Sequence, residues 1–166
     1  MNRFYHALNS RFNIYFNGKT AFDEALLAMQ TGYKENYSDM ILMYPISAQP
    51  KDKSEPGGPF DVAIEKSNKA IKLHSIQAKP KKKPGWRNDP KQVAWQNQEE
   101  YNPFLKKCWM LMGEAQFYNA DFLQASATFS YITRHYKEDA EIVASAKLWQ
   151  ARCYAEMGWN YEAEDI

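Results

Sequence analysis

The stretch from Tyr101 to Tyr136 reads YNPFLKKCWMLMGEAQFYNADFLQASATFSYITRHY, and its spacing decides the fold. Asn102-Pro103 opens a helix, with Asn as cap and Pro in the first helical position. Asp121 opens a second helix, whose apolar stripe runs through Phe122, Ala125, Phe129, Ile132 and Tyr136 at helical spacing. Two antiparallel helices come close where a small residue on one, Gly113, faces a small residue on the other, Ala125. Trp109 and Phe129 then fill the wider space on either side. Trp109→Ala or Phe129→Ala is expected to be strongly destabilising, and Gly113 is expected to tolerate little beyond Ala.

Trp109, Gly113, Ala125 and Phe129 stand at the spacings of a tetratricopeptide repeat, which this hairpin resembles. A second, weaker copy follows, setting Leu111 on Trp149, Gly113 on Ala151 and Ala125 on Ala163. That offset exceeds the usual period of about 34 residues, so the leading segment KEDAEIVASAKLW is expected to carry an extra helical turn. The second copy has Lys147 where the first has Trp109. The fold class implied is all-α: roughly seven helices, packed as tetratricopeptide-like hairpins in a right-handed superhelix. Any sheet is confined to a short pair of strands around Met40 to Tyr44. Units of this kind usually present a surface to another protein.

Outward from the repeat, the chain reads as helices separated by punctuation. Phe4, Leu8, Phe12, Tyr15 and Phe16 repeat at helical spacing, and Asn17-Gly18 ends that helix. Thr20 and Asp23 start another, with Phe22, Leu26, Met29 and Tyr33 on one face, making an N-terminal hairpin. Met40 to Tyr44 is a short apolar strip closed by Pro45, and Ala48 to Pro59 (AQPKDKSEPGGP) has the composition of a mobile loop. A third helix aligns Phe60, Ile64, Ser67, Ile71 and His74. A basic linker, Lys79 to Arg87, leads to a short helix opening at Pro90. Ala140 to Met157 is the next helix, and Gly158 closes it. The organisation is thus residues 1–45, an N-terminal hairpin and apolar strip; 46–101, loop, third helix and linker; and 102–166, a repeat with a truncated second repeat. The sequence stops early in an expected further helix, so it reads as part of a longer chain.

Composition excludes several classes. With 21 basic and 20 acidic residues the formal net charge is +1, so no general attraction to nucleic acid or an anionic membrane is expected. No apolar run approaches the roughly 20 residues of a membrane span, and NRFYHALNSRF after Met1 is neither a signal nor a transit peptide. His6, His74 and His135 are far apart in sequence, without partners at metal-ligand spacing, so no metal and no cofactor is expected. Cys108 and Cys153 fall at different heights on equivalent helices and read as free, buried thiols. No phosphate loop, GxSxG or HExxH occurs. The reading is non-enzymatic.

A groove remains as the candidate site. The concave surface of a tetratricopeptide stack is lined by first-helix residues, here Lys107, Met110, Glu114, Phe117 and Tyr118. Repeats that clamp a terminal carboxylate use Lys and Asn at two of these positions; Met110 and Glu114 stand there instead, so carboxylate capture is not expected. Phe117 and Tyr118 could anchor a partner or could pack against the neighbouring repeat. Lys81-Lys82-Lys83 with Trp86 and Arg87 mixes cations with an aromatic ring as nucleic-acid binders do, but its brevity and flanking prolines favour a solvated linker.

Three blocks carry a closer resemblance: FYHALNSRFNIYFNGKTAFDEALLAMQTGYKENYSDMILMYPIS, AIEKSNKAIKLHSI and EEYNPFLKKCWMLMGEAQFYNADFLQASATFSYITRHY. In this order they resemble the N-terminal portion of the PorW/SprE family of Bacteroidetes. The family's Asn-x-Tyr-Phe-Asn-Gly element matches Asn13 to Gly18, its Leu-His-Ser matches Leu73 to Ser75, and its Tyr-Asn-Pro-Phe matches Tyr101 to Phe104. The resemblance implies a periplasm-facing outer-membrane lipoprotein, a tetratricopeptide scaffold of the type IX secretion system and of gliding motility. Its partners would be protein components of that machine, and its membrane attachment a lipid on an N-terminal cysteine; neither lipobox nor signal sequence is present here. The alternative is a glycan-binding outer-membrane lipoprotein of the SusD type, which would need a solvent-facing aromatic platform. A cytosolic adaptor for a chaperone tail is weakened by the missing Lys and Asn.

Overall fold

The computed structural model describes residues 3–48 and 57–166, and every regular element among them is helical. Most of the loop expected over 48–59 lies outside the described residues. The Met40–Tyr44 strip is irregular and runs into a 3-10 turn, Pro45–Ala48, with no strand.

The N-terminal hairpin is not formed. Three segments join end to end with helical backbone throughout: α1 (Arg3–Asn9), a π-helical stretch (Ser10–Tyr15) and α2 (Phe16–Gly32). Asn17-Gly18 sits inside this rod. Gly18 serves close approach: a Cβ there would lie 3.2 Å from Lys66 Cβ and 3.4 Å from Leu111 Cδ2. The glycine marks a crossing of helices, where the sequence suggested a stop.

Apart from Tyr15, which packs against the core, the expected apolar stripe also faces the wrong way. His6, Ser10, Ile14, Gly18 and Phe22 are buried, while Phe4, Leu8, Phe12 and Phe16 are exposed. The two sets are two residues out of phase, or roughly 200° around a helix. A four-residue stripe on an ideal α-helix drifts by about 40° per step, and the wider π-helical turn counteracts that drift. One straight line of residues thereby stays against the body.

Downstream follow α3 (Asp61–His74), α4 (Pro90–Asn97), α5 (Leu105–Tyr118), α6 (Phe122–His135), α7 (Ala140–Met157) and the short α8 (Asn160–Glu164). Asp89 caps α4 by accepting from the Lys91 amide, Asp139 caps α7 by accepting from Ile142, and Gly158 ends α7 in the left-handed conformation (φ 79°). α7 has 18 residues against 14 in α5, which accommodates the extra turn expected of the second unit. α2 packs on α3, α3 on α5, α5 on α6, α6 on α7 and α7 on α8; α5 also touches both α2 and α7.

Two buried asparagines lock α5 antiparallel to α3. At the start of α5, Asn102 Oδ1 accepts from the Phe104 amide, while Nδ2 donates to Ser10 Oγ and the His74 carbonyl, both at 2.9 Å. Beyond its end, Asn119 Oδ1 accepts from the Phe60 amide and Nδ2 donates to Asp61 Oδ1. Each side chain supplies a donor and an acceptor to groups that burial would otherwise leave unpaired.

In the α5–α6 hairpin Phe122, Ala125, Phe129 and Ile132 are buried as expected. Phe129 is the residue that closes on Gly113. Trp109, expected inside, is half-buried and lies against Tyr131, ring centroids 4.4 Å apart. Trp149 takes the more central place, stacked on Phe129 and edge-on to Phe117.

Candidate functional site

α2, α5 and α7 line one face, and between them lies a cleft of about 340 Å³. Of the five residues picked out on the first repeat helix, three line it: Lys107, Met110 and Glu114, one α-helical turn apart or nearly so. Leu111 and Ile142 add apolar wall beside Met110. Lys106 and Asp139, joined as an ion pair, close one end. Tyr15 and Lys19 come from the N-terminal rod. Reading Asn17-Gly18 as a helix end hid these two, because only an unbroken helix carries them alongside α5.

Phe117 and Tyr118 are not groove residues. Phe117 is fully buried in one cluster with Ile46, Phe122, Phe129 and Cys153. Tyr118 is half-buried, stacked on Phe60 (5.5 Å) and edge-on to Phe22 (5.7 Å). For Phe117 the cause is the chain after α2, which crosses to α7. There Ile46 enters the core, Ser47 Oγ donates to Glu156 Oε1 at 2.8 Å, and the Arg152 guanidinium lies over the Tyr44 ring. This strap covers the far end of the face and leaves the Lys107 end open. A short apolar strip ending in Pro-Ile was the only sequence signal for it.

Charge in the cleft is unevenly solvated. Burial pushes the Glu114 carboxyl up to about 7, and Asp23 adds to the rise while Lys19 and Arg152 oppose it. Burial, with Glu114 nearby, also raises the Tyr15 hydroxyl. Asp139 is held below the usual carboxylate range, chiefly by its hydrogen bond from Lys106. The cleft therefore offers an apolar wall, a rim of mixed charge (Lys19, Lys106 and Lys107 with Asp139 and Glu141), and in Glu114 a carboxyl that changes charge near neutrality. Such a lining can hold an apolar side chain and orient a polar chain around it.

The histidines, scattered in sequence, are partly brought together. His6 and His74 meet Nδ1 to Nδ1 at 2.9 Å, both buried, and join α1 to the end of α3. Burial holds the His74 imidazole below its ordinary pKa, with His6 and Lys69 contributing. His135 instead pairs with Glu99 and stacks on Tyr131. Among the described residues no group of three or more His, Cys, Asp or Glu could hold a metal ion, and no helix is long and apolar enough to cross a membrane. Cys108 and Cys153 lie in separate buried clusters, and burial pushes both thiols up to about 12. The Lys82 ammonium and Arg87 guanidinium lie over the exposed linker's Trp86 ring.

No protein-family model matches the chain, and no curated protein matches it.

Proposed function

We propose that this chain is a non-enzymatic helical scaffold that holds a segment of another protein in the cleft between α2, α5 and α7. The observation that carries it is the union, on one open face, of Lys107, Met110 and Glu114 with Tyr15, Lys19 and Ile142 from neighbouring helices. The packing order supports a tetratricopeptide-like stack. The second helix of each pair lies against the first helix of the next, α3 on α5 and α6 on α7, and the first helices α2, α5 and α7 touch in succession. In a right-handed superhelix of such pairs the first helices line the concave surface, and a cleft between α2, α5 and α7 is consistent with that arrangement.

The resemblance to the PorW/SprE family extends the proposal to a setting. The parent protein is a periplasmic, outer-membrane-attached lipoprotein of the type IX secretion and gliding machinery, and the occupant of the cleft is one of that machine's protein components. Met110 and Ile142 serve as the apolar contact and Lys107 fixes orientation, in the manner of interface hot spots.

The test is capture of secretion components by the wild-type chain and by a triple variant, Lys107→Glu with Met110→Ser and Ile142→Ser. Tyr118 is left intact because it belongs to the core. Met110 and Ile142 are partly buried against the core, so a lowered melting temperature is expected, and the result sought is loss of capture by a variant that still unfolds cooperatively. Undiminished capture by a folded triple variant would overturn the cleft as the site.

A further inference from the structure

The face of the N-terminal rod turned away from the body carries Phe4 (70 % exposed), Leu8 (44 %), Phe12 (59 %) and Phe16 (62 %) in one four-residue series. Burying such rings is strongly favourable, yet the fold spends the opposite face of the helix on His6, Ser10, Ile14 and Gly18. The row is a ridge, with rings standing out from a single helix.

Its surroundings are cationic. Between Arg3 and Phe22 the rod has Arg3, Arg11 and Lys19 and no acidic residue. The first acid is Asp23, already paired with Lys19. On one flank the Arg11 guanidinium lies over the Phe12 ring at 4.7 Å and the Phe104 ring at 5.5 Å, and Lys107 reaches the same Phe104 ring. On the other flank Tyr5, Asn9 and Asn13 share a shallow cleft with Lys66 and Lys69 of α3. The near-zero charge of the whole chain conceals this local excess.

We propose that this ridge seats the protein on an anionic lipid bilayer, with Leu8, Phe12 and Phe16 inserted at the headgroup level and Arg11, Lys66 and Lys69 against lipid phosphates. An amphipathic helix with aromatic residues on one face and cations beside them lies in the plane of a membrane interface by this combination of area and charge. A bilayer closes around a convex ridge, whereas a protein partner would have to bring a groove of its own. A second copy fits poorly: antiparallel pairing about the middle of the ridge sets Arg11 near Arg11, with no carboxylate on either helix between Arg3 and Phe22 to offset them.

The whole chain is floated with vesicles of phosphatidylcholine alone and with vesicles in which a third of it is replaced by phosphatidylglycerol. Binding to the anionic vesicles, weakened by salt, is expected. Phe12→Ser with Phe16→Ser should lower it about tenfold or more while the melting temperature holds, since both side chains are more than half exposed. Should that pair impair folding, Arg11→Glu with Lys69→Glu, both at exposed positions, provides an independent arm with the same expected loss. No flotation with either vesicle, or flotation indifferent to both variants, overturns the proposal. So does a dimer in light scattering that Phe12→Ser abolishes without any vesicle binding, which would make a second copy the occupant. Capture of an acidic protein through the ridge without lipid binding overturns it equally.

Discussion

A methyl group on Gly113 would stand 2.6 Å from Cε1 and 2.7 Å from Cζ of Phe129. The Phe129 ring is fully buried and stacked on Trp149, so it has no free space to retreat into. The tolerance for Ala anticipated from the small-residue pattern therefore gives way to a stricter requirement. Gly113→Ala is expected to cost about 1–3 kcal/mol, as overpacking does, and Gly113→Leu to prevent folding. Phe129→Ala should cost about 3–5 kcal/mol, and in that background Gly113→Ala should become nearly neutral. A double-mutant cycle by urea denaturation measures this; equal cost of Gly113→Ala in both backgrounds would refute the contact.

Asn102 joins three elements through one carboxamide: the π-helical segment at Ser10, the end of α3 at His74 and the start of its own helix at Phe104. Asn102→Ala leaves two acceptors and an amide unpaired in a buried place and is expected to cost about 1–3 kcal/mol. Asn102→Asp should also destabilise, because it keeps the amide's acceptor but loses both donations. Melting temperatures of the two variants check this, and a neutral Asn102→Asp would show that the donated bonds are dispensable.

Glu114 makes stability depend on pH in the groove. Its folded pKa of about 7 lies above its ordinary 4.5, so the unfolded chain loses this proton first. Stability from this group is fully present below about pH 4.5 and is lost as pH rises to about 7. Glu114→Gln should therefore raise stability at pH 8 by ~1–3 kcal/mol and leave it unchanged near pH 4. Denaturation at the two pH values tests the sign. A gain at the acid end would mean that the carboxylate is stabilised in the fold.

His74 acts in the opposite direction. Its folded pKa is depressed, so its contribution is present above the ordinary imidazole value near 6.5 and is lost as pH falls through the lower folded value. Protonating His74 would put a charge in a buried place, 2.9 Å from the His6 ring nitrogen and with Lys69 close by. The melting temperature should fall between pH 7 and pH 5 in the wild type and much less in His74→Gln. Parallel pH profiles would place the proton uptake elsewhere.

Much of the helical hairpin from 102 to 136 was legible in the sequence, since its signals are local. A glycine and a four-residue stripe act over one or two turns, and Phe122, Ala125, Phe129 and Ile132 are buried as their spacing implies, although Asn102-Pro103 lies in the turn before α5, which opens only at Leu105. The third helix and the glycine stop at Gly158 were readable for the same reason. So were Lys107, Met110 and Glu114 as members of one face, because an i, i+3, i+7 series lies on one side of any helix.

What packed against those faces was decided only in three dimensions. Asn17-Gly18 satisfies the local rule for a helix end, but Gly18 is where Lys66 and Leu111 close on the rod, and that contact keeps the helix intact. The apolar series Phe4, Leu8, Phe12 and Phe16 should by hydrophobicity alone have been the inner face. Burial went instead to His6, Ser10, Ile14 and Gly18: Gly18 permits close approach, while His6 meets His74 and Ser10 accepts from Asn102. Those partners lie 68 and 92 residues away in sequence. The same holds for Phe117, a groove residue by position and a core residue once Ile46 arrives from a strap some seventy residues earlier. Periodicity determines that a helix has faces; which face is buried depends on which distant residues can satisfy and fit it, and that selection exists only in the folded chain.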